Sequence, residues 1–385
     1  MKKLPGFLFG QAYLKKIEER IYDKTLKLNA QGHKIVGLYC AFTPKELVAA
    51  AGGIPVALCS GSESSFPAAE KHLPVNLCPL IKSSYGHAVA DTCPYFHLVD
   101  FLLADTTCDG KKKMFELLNR IKPVHMLMLP QTGDGSDTIA YWEKEVEKAK
   151  AFLEKMIGTK VTDAALKEQI RLYNRLRRTT RKVFERNRGD IPLLYGTEID
   201  AIISSGGFEC DIEQRIRDME QALDDILERA ESEAFKAQME KRPRVLMTGC
   251  PTTNKKVLHL IERCGGAVVA METCGGLKTC DTQVDETGDP LPALARRYLK
   301  TACSCMSPNS RRMDLIGGLI REFRVDGVVE LTWNACHTYN VEAFQIREAV
   351  ENRFGTPYFQ ITTDYSENDI GQLETRVEAF LEVIA

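Results

Sequence analysis

The chain lacks the features that mark export, membrane insertion or nucleic-acid binding. It has no long run of lysine and arginine, and its net charge is only −2 over 385 residues, which argues against a nucleic-acid or membrane-surface partner. No apolar stretch approaches the length of a membrane span. The amino-terminal region has a short apolar patch that runs directly into charged helical sequence, so no export signal is predicted. We therefore expect a cytoplasmic protein.

Nucleotide-binding motifs are also missing. The sequence contains no G-x-x-x-x-G-K-[ST] segment, and neither of its strand–turn–helix stretches carries G-x-G-x-x-G. These glycine-rich loops are what hold phosphates in the common ATP and NAD sites. No serine, histidine and aspartate arrangement of a hydrolase is evident either. Any step driven by ATP is therefore expected to come from a partner protein.

Cysteine, in contrast, is abundant, with thirteen residues in the chain. An odd number of cysteines in a large chain without an export signal argues against a disulfide framework. In a reducing cytosol such a set more often serves metal binding or redox chemistry. The alternative for any single cysteine is a small buried hydrophobic residue, so the positions of the cysteines decide between the two interpretations.

Predicted strands and helices alternate in two separate stretches of the chain. This pattern predicts an α/β fold with two Rossmann-like domains, each with a parallel sheet, and a length of 385 residues fits two domains. We predict an N-terminal helix and first domain over residues 1–136, a helical bridge over 137–241, and a second domain over 242–385. The charged faces of the bridge helices are expected to be solvated.

Several cysteines follow predicted strands, in a loosely repeated pattern. Ligands of open parallel sheets bind outside the carboxyl ends of the strands, so cysteines at those ends should meet in a crevice. Packing alone gives no reason for such a preference. If the two domains face each other, the two sets converge between them. The cysteines at predicted strand ends are Cys40, Cys59 and Cys108 in the first half and Cys250, Cys274 and Cys336 in the second.

Three further cysteines lie on connections between these elements. Cys78 precedes Pro79, which can open a helix, and Cys303 and Cys305 lie beside another turn that contains proline. The amino terminus of a helix offers free N–H groups and the positive end of its dipole, which stabilise thiolates and anionic clusters.

The spacing of the cysteines favours iron–sulfur ligation over zinc, although zinc stays open. Structural zinc sites favour compact C-x2-4-C pairs, which this chain lacks, because Cys303 and Cys305 are separated by one residue. The spacing of short bacterial ferredoxin motifs is absent too. A cluster held by single cysteines from two domains remains compatible with the pattern.

The cysteine-bearing segments resemble a known family. GLYCAFTPKELVAAAGGIPVALC, NLCPLIKSSYG, TTCDGKKKMFELL, MTGCP, CSCMSPN and NACHTYNVE are together similar to the 2-hydroxyacyl-CoA dehydratase and benzoyl-CoA reductase subunit family, and most similar to its double-cubane cluster protein branch. The resemblance covers nearly the whole chain and is weakest in the helical middle. It implies a homodimer with two four-iron cubanes joined by a bridging sulfide (8Fe-9S), three cysteines on each cubane, and electrons from a separate ATP-hydrolysing iron–sulfur activator.

Carried onto this sequence, the resemblance implies six ligands. Cys250 and Cys305 are close alternatives, since the internal repeat makes Cys250 the counterpart of Cys40. Cys59 and Cys93 are expected to serve packing, and Cys210, Cys264 and Cys280 match no motif. The implied ligands are Cys40, Cys78 and Cys108 from the first half and Cys274, Cys303 and Cys336 from the second.

The leading functional hypothesis is an anaerobic iron–sulfur oxidoreductase component that reduces a small molecule. One alternative is the single-cubane (4Fe-4S) subunit of a 2-hydroxyacyl-CoA dehydratase, and another is a metal- or cluster-binding protein without catalysis. Catalytic residues are not assigned, although Ser83, Tyr85 and Tyr365 are candidate proton donors. The lysines of residues 111–113 either offset an anionic cluster, dock the activator, or form a solvated first helical turn.

Overall fold

Two four-stranded parallel sheets form the framework of the computed structural model, which describes residues 11–133 and 135–385. The first sheet contains β1 (Ile35–Tyr39), β2 (Ile54–Ala57), β3 (Phe101–Asp105) and β4 (Val124–Leu127). The second contains β5 (Arg244–Gly249), β6 (Ala267–Glu272), β7 (Gly327–Trp333) and β8 (Tyr358–Thr363). The predicted α/β fold with two parallel sheets is thus confirmed.

Helices connect the strands and cover the sheets. In the first half and the middle of the chain they are α1 (Gln11–Ala30), α2 (Lys45–Ala50), α3 (Phe66–Ala69), α4 (Pro79–Val89), α5 (Pro94–Leu98), α6 (Asp109–Leu118), α7 (Ser136–Ile157), α8 (Asp163–Glu185), α9 (Gly196–Ser205), α10 (Ile212–Ala230) and α11 (Glu233–Glu240). In the second half they are α12 (Lys256–Arg263), α13 (Leu277–Cys280), α14 (Pro290–Leu299), α15 (Ser310–Glu322), α16 (His337–Glu348) and α17 (Ile370–Ile384).

The strand sequences explain why the sheets form in the interior. All residues of β1, β3, β5, β6 and β7 are buried. Such near-continuous apolar runs are typical of parallel strands covered by helices on both faces. The two sheets have the same strand order, β2-β1-β3-β4 and β6-β5-β7-β8, which agrees with the architectural repeat seen in the sequence.

The strands end slightly earlier than predicted. β2, β6 and β7 stop two to three residues before Cys59, Cys274 and Cys336, respectively. The chain leaves the sheet at these points, so that the cysteines lie in the turns that follow the strands. Cys40 directly follows β1 in a left-handed backbone conformation with φ of 72°.

Helices α7–α11 lie in the segment predicted as a helical bridge, but their charged faces are not uniformly solvated. Arg177 on α8 is buried and bonds to the buried carboxylate of Glu46 on α2. Its partner belongs to a distant part of the sequence, which is why the helical pattern alone gave no sign of the contact. α9 was not predicted.

The α14 region crosses back from the second half of the sequence to the first half of the fold. Leu294, Tyr298 and Met306 belong to the same core cluster as Leu38 and Leu103 of the first sheet. The indole N–H of Trp142, on α7, also donates to the backbone carbonyl of Ala295 at 3.0 Å. The segment of residues 294–306 therefore completes the core of the first half.

Among the described residues, no helix combines the length and the apolar character needed to cross a bilayer.

Candidate metal centre

The two halves meet at the carboxyl ends of their sheets. The side-chain amide of Asn254 donates to the carbonyl of Gly61 at 3.1 Å, and the Tyr365 hydroxyl donates to the carbonyl of Ser60 at 3.4 Å. A Cβ at position 61 would overlap the backbone of Thr253, so only glycine fits at this position. The close contact brings the turns after the strands of both sheets to one cleft.

This cleft, which we call the cysteine cleft, gathers cysteines from both halves. Each of these cysteines interacts electrostatically with at least one other cysteine of the set, and these pairs link all of them. They therefore lie in one region of the molecule. All six ligands predicted from the resemblance, both alternatives and Cys59 belong to it. The nine cysteines are Cys40, Cys59, Cys78, Cys108, Cys250, Cys274, Cys303, Cys305 and Cys336.

The remaining cysteines make local contacts elsewhere. Cys93 begins α5 and accepts a hydrogen bond from the N–H of Phe96. Cys210 lies beside Glu209. Cys264 ends α12, at the opposite edge of the second sheet from the cleft, because that helix runs back from the carboxyl end of β5. Cys280 bonds only to carbonyl groups of its own turn among the described residues.

A first group within the cleft consists of Cys78, Cys250 and Cys336. Hydrogen bonds from the Cys250 and Cys78 thiols lower the pKa of Cys336 well below its ordinary value, against the effect of burial. The same contacts and burial raise the pKa of Cys78 and of Cys250. The group therefore favours a thiolate at Cys336, with Cys78 and Cys250 as neighbouring thiols. Cys250, predicted only as an alternative, lies beside two of the predicted ligands.

A second group surrounds Cys303. The Cys305 thiol donates to its sulfur, and nearby Lys278 and Lys111 also favour its charge, so that the pKa of Cys303 falls to about 6. Burial and the charge of Cys303 raise the pKa of Cys274, against the effect of Lys278. The charges of both Cys336 and Cys303 act on Cys108.

Helix amino termini direct three of the predicted ligands. Cys78, Cys108 and Cys336 occupy the position just before the first residue of α4, α6 and α16. None of the three sulfurs forms a capping hydrogen bond with its helix. The backbone N–H groups of the following turn act to lower the pKa of each thiol, but burial and neighbouring thiols keep the pKa of Cys78 and Cys108 above its ordinary value. The sequence predicted this position for Cys78 from the proline that follows. The helix dipole and free N–H groups favour thiolates at these positions.

Two lysines bring positive charge to the cysteine cleft. Lys111, in the first turn of α6, contacts the sulfur of Cys40, whereas Lys112 and Lys113 form surface ion pairs with Asp109 and Glu116. Of the three lysines, only Lys111 therefore serves the cleft directly. Lys278 comes from the second half and was not singled out in the sequence.

Behind Lys278 lies a fully buried network of charged residues. The Lys278 ammonium pairs with Glu272 at 3.1 Å. The Arg312 guanidinium contacts Glu272 at 3.3 Å, Glu330 at 2.9 Å, and Glu342. These residues come from β6, α13, α15, β7 and α16, so the network ties the elements behind the second group of cysteines together. No local sequence pattern links residues so far apart in the chain.

The candidate proton donors lie in different surroundings. The Tyr365 hydroxyl bonds to Thr253 at 2.9 Å and lies near the first group of cysteines, whose charges act on it. Ser83 donates to the carbonyl of Ser62 at 2.6 Å. Tyr85 bonds to His72 at 2.8 Å and lines a separate cavity of about 830 Å³.

Asp105, at the end of β3, is a further acid beside the cleft that the sequence did not single out. Burial raises its pKa to about 7, against the effect of Lys111. One carboxylate oxygen accepts the N–H of Phe42 at 3.0 Å, and the other has no partner among the described residues. A carboxyl group with this pKa can hold and release a proton near neutral pH.

The donor set fits a cluster better than a single metal ion. Within the described residues, the group of three ligand atoms close enough to share one ion is Cys264, Glu374 and Glu378, outside the cysteine cleft. Thiolates on different irons of a cubane are spread further apart than ligands on one ion, and soft thiolates are what iron–sulfur clusters require. The two groups of cysteines meet this requirement, and the two lysines offset part of the negative charge of their thiolates.

The lowered pKa of Cys303 leads to a prediction for the metal-free protein. Cys303 should be alkylated by iodoacetamide at pH 7, because the thiolate is the reacting form and predominates above its pKa of about 6. Its rate should fall as the pH is lowered through 6. Peptide mass spectrometry would follow each cysteine, with Cys264, whose pKa burial raises to about 11, as internal control. Equal rates at both sites would contradict the assignment.

Known proteins match this chain over most of its length. Residues 40–384 match the family described as 2-hydroxyglutaryl-CoA dehydratase, D-component. The chain is 41% identical over 362 residues to YjiM of Escherichia coli (strain K12), a protein only provisionally named a dehydratase subunit, covering 93% of this chain and 94% of that protein.

More distant relatives cover similar shares. The chain is 22% identical to the (R)-phenyllactyl-CoA dehydratase beta subunit of Clostridium sporogenes, with 92% of each chain covered. It is also 22% identical to one of the benzoyl-CoA reductase subunits of Thauera aromatica, over 89% of this chain and 87% of that one. The chain therefore belongs to the 2-hydroxyglutaryl-CoA dehydratase D-component family, as an enzyme component of the dehydratase and reductase subunit type.

Proposed function

We propose that this protein holds an iron–sulfur cluster in the cysteine cleft and uses it to reduce a small molecule. The observation that carries the proposal is the convergence of nine cysteines from both halves on one cleft. The cofactor proposed is a double-cubane (8Fe-9S) cluster, which when bound supplies electrons of low potential. The protein is proposed to act as a homodimer in the cytoplasm of an anaerobic cell.

The two groups of cysteines support two cubanes. Cys78 and Cys336, with Cys250 beside them, are proposed to hold one. Cys274 and Cys303 are proposed to hold the other. Cys40 and Cys108 complete the six proposed ligands, and Cys305 stays an alternative. Buried thiolates need compensating positive charge, which Lys111 and Lys278 supply.

Electrons are proposed to come from a separate ATP-hydrolysing iron–sulfur activator. The absence of phosphate-binding motifs from the sequence supports this division of labour. The chain's own residues would bind and orient the substrate and move protons. Asp105 and Tyr365 are candidates for proton transfer, because the charges of cysteines in the cleft act on both.

A second candidate function is the single-cubane subunit of a 2-hydroxyacyl-CoA dehydratase. The names of the relatives from Clostridium sporogenes and Acidaminococcus fermentans favour it, since both are dehydratase beta subunits. This function would need a second, different subunit and about three of the nine thiolates.

Iron and acid-labile sulfide per chain distinguish these functions. Protein purified without oxygen should contain about eight irons and slightly more sulfide if two bridged cubanes are present, and about four if one is. Zinc alone, or no metal, would reject the redox function. The measurement needs no knowledge of the substrate.

A further inference from the structure

The two thiol groups of the cysteine cleft have different charged neighbours. In the second group, the positive charges of Lys278 and Lys111 both favour the thiolate of Cys303. The same two lysines act in the same direction on Cys274. For Lys278 the effect is mutual, because the charges of Cys274 and Cys303 also act on its ammonium. Two cations, one from each half of the chain, therefore lie close to the second group.

The first group has no such cation. The N–H of Trp333 donates to the sulfur of Cys250 at 3.4 Å, and the Thr338 hydroxyl lies 3.9 Å from the sulfur of Cys336. The charges that act on Cys78 and Cys250 are those of cysteines in the same group. Within the described part of the chain, no lysine or arginine bonds to a sulfur of this group. Its sulfurs are therefore contacted by neutral donors.

Lys111 is the cation that contacts a cysteine sulfur directly. Its ammonium donates to the sulfur of Cys40, and the Thr107 hydroxyl lies 3.4 Å from the same sulfur. Against the effect of burial, the charges of Cys40, Cys59 and Cys108 hold the pKa of Lys111 well above its ordinary value, so that it stays charged near neutral pH. Among the described residues, no carboxylate forms an ion pair with Lys111. Its positive charge is therefore directed at the thiols.

Lys278, in contrast, shares its charge with carboxylates behind the cleft. Its ammonium is fully buried, pairs with Glu272 at 3.1 Å and donates to the Tyr339 hydroxyl at 2.5 Å. The buried network to which it belongs contains three carboxylates and two cations. Much of the Lys278 charge is thus offset within the protein, which leaves Lys111 as the stronger positive influence on the second group.

A fixed positive charge beside a redox site favours its reduced form. Each one-electron reduction adds one negative charge and forms or breaks no bond to the protein, so a nearby ammonium stabilises the reduced form more than the oxidised form. The reduction potentials of iron–sulfur clusters depend on net charge and on hydrogen bonds to their sulfurs. Lys111 supplies both at the second group.

We propose that Lys111 makes the second thiol group the electron-accepting end of the cysteine cleft. An electron that the activator delivers to either group then rests at the second. The inference rests on the proposed function, since it assigns the order in which the two proposed cubanes are reduced. It also places the reduction of the substrate on the side of the cleft where Lys111 lies.

Reductive titration of the full chain, purified with its iron in the absence of oxygen, tests this order. Titanium(III) citrate is the reductant, and electron paramagnetic resonance follows each one-electron step. Two ligand variants separate the groups, because Cys303→Ser leaves the first group intact and Cys336→Ser leaves the second. The site that remains in Cys336→Ser should have the higher midpoint potential.

Lys111→Met should lower the midpoint potential of the second group. We expect at least a tenfold change in the equilibrium between the oxidised and reduced forms, which is about 59 mV for a one-electron couple. The shift should occur in the Cys336→Ser chain and be absent from the Cys303→Ser chain. In the chain without serine substitutions, the higher of the two potentials should fall and the lower should stay. If a single step is seen, Lys111→Met should lower it.

Three further variants separate charge from structure. Lys111→Arg should keep the original potential, because it retains the positive charge. Lys111→Gln keeps a donor for the Cys40 sulfur but removes the charge, so it should shift the potential in the same direction as Lys111→Met. Lys112→Met is the matched control, since Lys112 is the next residue of the same helix and pairs with Asp109 at the surface at 2.8 Å. It should leave both potentials unchanged.

Three results would overturn the inference: a higher potential at the first group, unchanged potentials in both Lys111→Met and Lys111→Gln, or an equal shift in Lys112→Met. Iron measured in the same samples separates this inference from the proposed function. Any of these results in protein that retains its iron rejects the role of Lys111 alone. Protein that binds no iron rejects the cluster and the role of Lys111 together.

Discussion

Serine in place of Cys336 should remove at least half of the iron from protein purified without oxygen. In the first group of thiols, the neighbouring Cys250 and Cys78 lower the pKa of Cys336 well below its ordinary value. The backbone N–H of Tyr339, at the start of α16, acts in the same direction. A serine hydroxyl keeps the shape but is a poor ligand for iron, because it does not ionise near neutral pH and is harder than a thiolate. The cubane proposed for this group, with about four irons, would lose one of its ligands.

Iron, sulfide and the visible absorption spectrum of the variant give the measurement. Cys210→Ser is the matched control, since Cys210 is half-buried like Cys336 but lies outside the cysteine cleft. Cys250→Ser and Cys59→Ser extend the test to two cysteines that the sequence did not select as ligands. An unchanged metal content in Cys336→Ser, or an equal loss in Cys210→Ser, would show that the ligand assignment is wrong.

Methionine in place of Arg312 should lower the free energy of unfolding by about 3–5 kcal/mol, the cost of removing one partner from a buried ion network. The Arg312 guanidinium is fully buried and contacts three carboxylates, those of Glu272, Glu330 and Glu342. Without it, Lys278 is the one cation that still pairs with this group within the described residues. Burying carboxylates without compensation is strongly unfavourable.

Urea unfolding of the metal-free chain would measure this loss. Arg321→Met, at an exposed position on the same helix, should change the free energy by less than about 0.5 kcal/mol. Adding Glu330→Gln and Glu342→Gln to Arg312→Met should recover part of the loss, because the charges to be compensated are then removed as well. A loss below about 1 kcal/mol in the single variant would show that the network contributes little.

Much of the fold was predictable because local signals agreed with the final structure. The alternation of apolar strands with helices in two stretches of the chain predicted two parallel sheets, which β1–β4 and β5–β8 form. Cysteines placed just after strands predicted a shared cleft, since parallel strands bring their carboxyl ends to one edge.

Contacts between distant segments explain what the sequence did not reveal. Lys278 and Arg312 have no local pattern that distinguishes them from surface cations, and their burial follows from the packing of separate elements. Packing stays the prediction for Cys59, and nothing in its neighbourhood in the sequence indicates that Lys111 and Cys274 lie near it. The choice between Cys250 and its competitors likewise depended on which thiols meet in space.

Because of the crossing segment of residues 294–306, the two sheets cannot be exchanged between proteins as independent units. Its apolar side chains fill the core beneath the first sheet, while its end carries Cys303 and Cys305 into the cleft. If the chain were divided between its two halves, the first fragment would lack part of its core. The second fragment would carry an apolar helix without its packing partner. Recombination between relatives should therefore succeed only where this segment and the first sheet are inherited together, despite the repeated topology.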